Sequence, residues 1–306
     1  MNRLAEALKN TPFLVLDGAL ATELERAGMD LADPLWSARA LMEAPEAILR
    51  VHRSYLEAGA DIITSAGYQA TIPGFMAKGC SRKEAERLLR LAVRLVKRAR
   101  DEYEAETGRR ALAAASAGPY GAYLADGSEY SGHYDLSRRE LADFHRELAL
   151  ILTDEAPDLL AFETVPSLAE AEAIADAVSA LPAGSAWLSF SCRDGETACA
   201  GDRAEDCAAF LAGIPQIAAI GANCTAPAHI AALIGRFRAA GKPVIVYPNS
   251  GETWNEETCA WEGAPSDFGA LAPVWNRVGA RIIGGCCRTS PETVRALVRA
   301  RETMKP

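Results

Sequence analysis

Short apolar runs alternate along the chain with longer stretches in which apolar residues recur every three or four positions. The short runs read as buried strands and the longer stretches as the helices that cover them. Residues 13–17 form the first run, which ends in an acid, and a helical pattern over 20–27 follows. Residues 45–58 carry an apolar stripe through Ile48, Val51, Tyr55 and Leu56, and Gly59 ends it. After the run 61–65, Ser81 caps a long helix to about Glu104, with Leu88, Leu89, Leu91, Ala92 and Leu95 apolar. The third run is 111–117. A polar-aromatic loop over 118–134 separates it from a helix that starts at Ser137. The run 158–163 again ends in an acid. Helices over 168–180, 204–212, 226–240 and 267–278 then alternate with strands over 186–191, 216–221, 244–247 and 280–283. Ser290-Pro291-Glu292 opens the last helix, with Ser as cap and Pro at the first helical position.

Strands that alternate with helices imply parallel βα units. Eight such units in 306 residues predict an α/β fold, the (β/α)8 TIM barrel. The competing architecture is an open doubly wound sheet. Its glycine fingerprint is missing, because the first strand is followed by Gly18 alone. No linker or shift of composition divides the chain, so residues 1–306 are expected to form one domain.

Active sites of such barrels lie at the C-terminal strand ends. Here those ends carry Asp17, Thr64, Glu163, Cys224, Asn249, Cys286 and Cys287. A strand end that meets water is often polar, which accounts for any one acid. It accounts less well for three thiols and two acids on one rim. Cys286 and Cys287 are adjacent, and successive strand side chains point to opposite faces. Gly284 and Gly285 are expected to adopt backbone angles closed to other residues and so aim both sulfurs at one point. Cys224 ends the apolar run Ile217-Ala-Ala-Ile-Gly-Ala-Asn-Cys224. A free Cys is often only a small buried hydrophobe, and a vicinal disulfide is strained. Three thiolates from two strand ends, in contrast, give zinc three protein ligands and one open position, as in a catalytic site. Such a centre has net negative charge and is a poor Lewis acid. It can still bind a fourth thiolate, lowering that thiol's pKa from about 8.5. That suits a substrate thiol attacking an alkyl group, with Asp17 and Glu163 accepting hydrogen bonds from the ammonium of an amino-acid thiol. Cys80, Cys192, Cys199, Cys207 and Cys259 have no ligand spacing.

The formal net charge of −9 argues against nucleic acid as partner and suits a cationic ligand. No apolar run approaches the roughly 20 residues of a membrane helix. Eight cysteines without a signal peptide point to reduced thiols and a cytoplasmic location. The rings in the loop 118–134 argue against disorder.

Asp17-Gly-Ala, Asn223-Cys224 and Gly284-Gly-Cys-Cys-Arg-Thr289 resemble the signature of the zinc-dependent homocysteine S-methyltransferases. The resemblance runs through nearly the whole chain and is strongest to the S-methylmethionine-using branch. It includes Tyr68-Gln-Ala-Thr71, the loop from Gly118 to Tyr130, and Tyr247-Pro-Asn-Ser-Gly-Glu252. Two departures are Ala19, where the family usually has Gly, and Gly67, where near relatives tend to have Ser. The resemblance implies that Cys224, Cys286 and Cys287 bind Zn2+ and that Asp17 and Glu163 hold the homocysteine amino group. It implies a sulfonium methyl donor, S-methylmethionine or S-adenosylmethionine, and methionine as product. Tyr120, Tyr123, Tyr130 and Tyr134 offer π faces to such a cation, with Asp126 and Glu129 as counter-charges. Two other readings share the sequence. A betaine or selenocysteine methyltransferase would differ only in its pockets. A non-enzymatic barrel would close its zinc with a fourth protein ligand, for which His229 is nearest in sequence.

Overall fold

The computed structural model describes residues 3–255 and 260–304; Cys259 lies outside them. Eight parallel strands form the expected barrel: β1 (Leu14–Val15), β2 (Ile62–Thr64), β3 (Leu112–Ala117), β4 (Leu159–Val165), β5 (Ala186–Phe190), β6 (Ile217–Asn223), β7 (Val244–Tyr247) and β10 (Ala280–Ile283). The remaining two, β8 (Thr253–Asn255) and β9 (Ala260–Glu262), pair as an antiparallel hairpin after β7. Neighbours run β1-β10-β7-β6-β5-β4-β3-β2. The ring closes between β1 and β2. Leu16 bridges Ile62, and the Asp17 and Asp61 amides donate to the carbonyls of Ile62 (3.0 Å) and Val15 (2.7 Å).

The two-residue period of each strand sorts its side chains into two cores. Leu14, Leu16, Ile62, Leu159, Ala161, Trp187, Ile245 and Ile282 fill the barrel interior. Val15, Ile63, Leu160, Phe162, Leu188, Val246 and Ile283 face the helices. A feature with no expectation behind it is a plug at the N-terminal end. Helix α1 (Arg3–Ala7) and the turn after it send Leu4 and Leu8 into the interior cluster. Arg281 holds the plug by donating to the carbonyls of Leu8 (2.7 Å) and Thr11 (3.1 Å).

The covering helices include α2 (Leu20–Arg26), α3 (Ala40–Glu43), α4 (Pro45–Ala58), α5 (Ile72–Ala77) and α6 (Arg82–Thr107). Ser81 and Glu84 close a capping box at the start of α6. Helix α7 (Tyr120–Leu124) lies inside the segment expected to be all loop, and a 3-10 turn (Ser128–Tyr130) follows it. The Glu170 carboxylate anchors α7 by accepting from the Tyr120 amide at 2.7 Å. Next come α8 (Arg138–Thr153), with its own capping box at Ser137, α9 (Leu168–Val178), α10 (Ala204–Ala212), α11 (Pro227–Phe237), α12 (Phe268–Val278) and α13 (Pro291–Glu302). No helix among the described residues is long and apolar enough to cross a membrane.

Candidate metal centre and its pocket

Strand β6 ends in buried Asn223, and the chain turns at Cys224, whose φ of 47° is left-handed. Strand β10 continues through Gly284 and Gly285 into Cys286 and Cys287. Neither glycine has positive φ, which corrects the expected reason for the pair. Space is the constraint instead. A Cβ on Gly284 would lie 2.6 Å from the Leu16 Cβ, and one on Gly285 would lie 2.4 Å from the Thr289 hydroxyl. The left-handed residue of this turn is Arg288, with φ 63°. Arg288 forms a two-point ion pair with Glu252 (2.9 and 3.0 Å), and its amide donates to the Thr22 hydroxyl at 3.2 Å. Backbone bonds then fix both cysteines: Cys286 N to Pro248 O (2.8 Å) and Ser250 N to Cys287 O (3.0 Å).

The sulfurs of Cys224, Cys286 and Cys287 lie within 4.8 Å of one another. Cys224 and Cys287 are 3.8 Å apart, sulfur to sulfur, and none of the three forms a disulfide. A tetrahedral metal at about 2.3 Å from each sulfur would need sulfur–sulfur edges of roughly 3.8 Å, so the donor set fits a soft tetrahedral ion. Among the described residues no His, Asp or Glu joins the cluster, and His229 lies outside it. Hydrogen bonds from Cys224 and Cys286 hold Cys287 well below the ordinary thiol range, whereas Cys286 is pushed well above it by its bonds to the other two and by burial. Binding a metal would release the remaining protons.

The cluster opens onto a cavity of about 470 Å³. Asp17, Thr64 and Glu163 line it, as do Glu129 and Tyr130. Asp17 accepts from the Thr64 amide (2.7 Å) and hydroxyl (3.1 Å). Burial pushes its carboxyl well above the usual range, against those bonds, and the Glu163 charge adds to the effect. Glu163 is half-buried in the cavity wall and accepts from the Ser116 hydroxyl. Enclosure raises its pKa to about 7, opposed by Ser116 and Tyr247 and assisted by negative charge on Cys287. Glu129 is also raised by burial, and its Oε2 is buried without a partner. Asp33 is the fourth acid of the lining, which contains no Lys, Arg or His among the described residues. A cavity with acids, thiols and no base favours a cationic occupant.

Five expected residues, Tyr120, Tyr123, Tyr134, Asn249 and Asp126, stand outside the cavity lining. Tyr120 and Tyr123 do not line the cavity. They meet edge-on at 5.5 Å, and Tyr120 packs in the same way on Tyr134 (5.4 Å) and on Phe144 (5.2 Å) of α8. These rings pin the loop to the barrel wall. Asn249 is also outside the lining. Its backbone N–H donates to Thr225 O at 3.1 Å, and its side-chain Oδ1 is buried without a partner. Asp126 is exposed and bonds Ser128.

The lining also contains residues to which the sequence assigned no role: Trp36, Tyr68, Ser116, Asn223 and Tyr247. Trp36 and Tyr68 meet edge-on at 6.2 Å. Ser116 interrupts the alanine run of β3, a visible signal, whereas Trp36 lies in a segment without periodicity. At Gly67, the second departure noted above, a Cβ would come 2.1 Å from the Ser116 carbonyl. Thr164, next to Glu163, has φ 61°. Such a backbone costs a β-branched residue on the order of 1–3 kcal/mol, so its surroundings must hold it there.

Comparison with known proteins agrees with this geometry. Residues 14–301 match the family profile described as homocysteine S-methyltransferase. Homocysteine S-methyltransferase YbgG of Bacillus subtilis is 48% identical over 313 residues, covering 100% of this chain and 99% of that one. Homocysteine S-methyltransferase 4 of Zea mays is 48% identical, covering 94% of this chain and 88% of its own length. The crystal structure of the homocysteine methyltransferase MmuM from Escherichia coli, in its metallated form, superposes with a TM-score of 0.88. It is 43% identical and covers 97% of this chain and 99% of its own. With a thiol cluster and paired acids on one barrel rim and matches over nearly its whole length, this chain belongs to the homocysteine S-methyltransferase family.

Proposed function

We propose that this protein transfers a methyl group from a sulfonium donor, S-methylmethionine or S-adenosylmethionine, to the thiol of homocysteine, giving methionine. Cys224, Cys286 and Cys287 would hold zinc. A zinc ion bound there would lower the pKa of a fourth, substrate thiol so that it is ionised at neutral pH. Asp17 and Glu163 accept hydrogen bonds from the homocysteine ammonium and fix the direction of its side chain. Glu129 and the rings of Tyr130, Tyr68 and Trp36 face the positive charge of the donor, each ring attracting it by about 0.5–2 kcal/mol. The acceptor sulfur loses a proton and gains the methyl carbon. The donor's sulfur–methyl bond breaks, and its electron pair leaves a neutral thioether. Alignment of the two sulfurs with the methyl between them supplies much of the rate. The reading takes residues 1–306 as one homocysteine-binding domain, which the family match over 14–301 supports.

The observation that carries the reading is the composition of one cavity: three thiols, four acids and no basic side chain among the described residues. Both sulfonium donors carry a net positive charge, whereas betaine is neutral overall, so the acidic lining favours a sulfonium. A methyl-transfer assay comparing S-methylmethionine, S-adenosylmethionine and betaine tests this, alongside elemental analysis. We expect one zinc per chain and turnover with a sulfonium. A preference for betaine would overturn the donor, and full activity in protein stripped of metal would overturn the zinc.

A further inference from the structure

Asn223 ends β6 one residue before Cys224 and is 1% exposed. Its amide uses each of its hydrogen-bonding positions. Oδ1 accepts from the Thr164 amide (2.7 Å) and the Ser189 hydroxyl (2.8 Å). Nδ2 donates to the Thr164 hydroxyl (2.7 Å) and reaches the Cys286 sulfur at 4.0 Å. The orientation of the amide is forced. A backbone N–H can only donate, so the oxygen must face Thr164 N, and the NH2 must turn to the Thr164 hydroxyl and to sulfur.

Both neighbours of this amide are strained. Cys224 follows Asn223 with φ 47°, and Thr164, gripped at its N–H and its hydroxyl, has φ 61°. Thr164 directly follows Glu163, so the direction of that carboxylate depends on the grip. Ser189 extends the network, since its hydroxyl also contacts that of Tyr247, which accepts from the Trp187 indole at 3.2 Å. Groups that orient ligands in this way tune metal affinity typically 10–100-fold.

We propose that Asn223 is a positioning residue that joins the two halves of the site: its N–H stabilises negative charge on the Cys286 sulfur, while its carbonyl oxygen holds the Thr164 turn that aims Glu163. The inference rests on the zinc and homocysteine reading above. It assigns the two ends of one amide to two separable tasks.

The separation gives the test. Asn223→Asp keeps an oxygen for Thr164 and Ser189 but replaces the donor that faces sulfur. Asn223→Ala removes both ends. Zinc affinity is measured by competition with a chromogenic chelator, and the sulfur-to-cobalt charge-transfer band is recorded in cobalt-loaded protein. Amino-acid binding is titrated with norleucine, which has an ammonium but no thiol. We expect Asn223→Asp to weaken zinc more than tenfold and shift the cobalt band, with norleucine affinity within about threefold of the parent. We expect Asn223→Ala to weaken both ligands more than tenfold. A parent that binds zinc, with both variants binding it within twofold and the band unshifted, overturns this inference alone. A parent that binds no zinc overturns the proposed function as well. If neither variant folds, the unsubstituted protein loaded with cadmium-113 decides. A scalar coupling between the Asn223 side-chain protons and the metal, relayed through sulfur, is expected, and its absence overturns the inference.

Discussion

At the scale of single residues, the proposed chemistry is concentrated in Glu163 and the three thiols. Glu163 has a pKa of about 7, against an ordinary value of 4.5, chiefly through burial. In its proposed role it must be ionised to receive an ammonium, so norleucine affinity should fall as pH drops below about 7, approaching tenfold per unit. Glu163→Gln should abolish that inflection. The sign for stability is opposite. The folded state holds the proton more tightly than the unfolded chain, so this group's stabilisation is present below pH 4.5 and is lost as pH rises through about 7. Glu163→Gln should therefore raise the melting temperature at pH 8, by on the order of 2 kcal/mol in stability, and change it little at pH 4. Equal shifts at both pH values would refute the buried-acid account. For the thiols, Cys224→Ser should abolish stoichiometric zinc while the circular dichroism spectrum is retained. Zinc retention with full activity in that variant would remove Cys224 from the ligand set.

At the scale of elements, the loop 118–134 divides into a wall and a face. Tyr123 packs on Tyr120 and on Phe144 (6.1 Å), whereas Tyr130 lines the cavity. Tyr130→Leu should raise the KM for the sulfonium severalfold and leave norleucine affinity near normal. Tyr123→Leu should lower stability by roughly 1 kcal/mol and leave the donor KM unchanged. Steady-state kinetics and thermal melts separate the two, and a larger donor defect in Tyr123→Leu would reverse the assignment. This division also marks what was legible in the sequence. Strand positions and their polar ends could be read because burial imposes a two-residue period, which placed Asp17, Glu163 and the thiols on one rim. Which tyrosine faces inward could not be read, because Phe144 reaches the loop from α8 and only tertiary packing brings them together. Trp36 was missed for the same reason, since its partner Tyr68 follows a different strand. The glycine pair was seen, but its cause was misjudged: a local pattern does not show that Leu16 and Thr289 crowd it.

At the scale of the molecule, the formal charge of −9 and an acidic cavity would act together on the proposed cationic donor. Raising ionic strength from 0.05 to 0.5 M should lower kcat/KM for S-methylmethionine, because screening shortens the reach of the field (test conditions of about that range). A salt-independent kcat/KM would show that the charge serves solubility alone. The closure of the barrel has a further consequence, in the order of events on the ribosome. Leu14 pairs with Ile282, and the N-terminal plug is held by Arg281. One edge of the first strand meets β2 early, but the other must wait for nearly the whole chain before β10 exists, and Cys286 and Cys287 emerge just after that late partner. If the three thiols hold the metal as proposed, its capture is a late event in synthesis, and a prematurely terminated chain would lack the means to hold the ion.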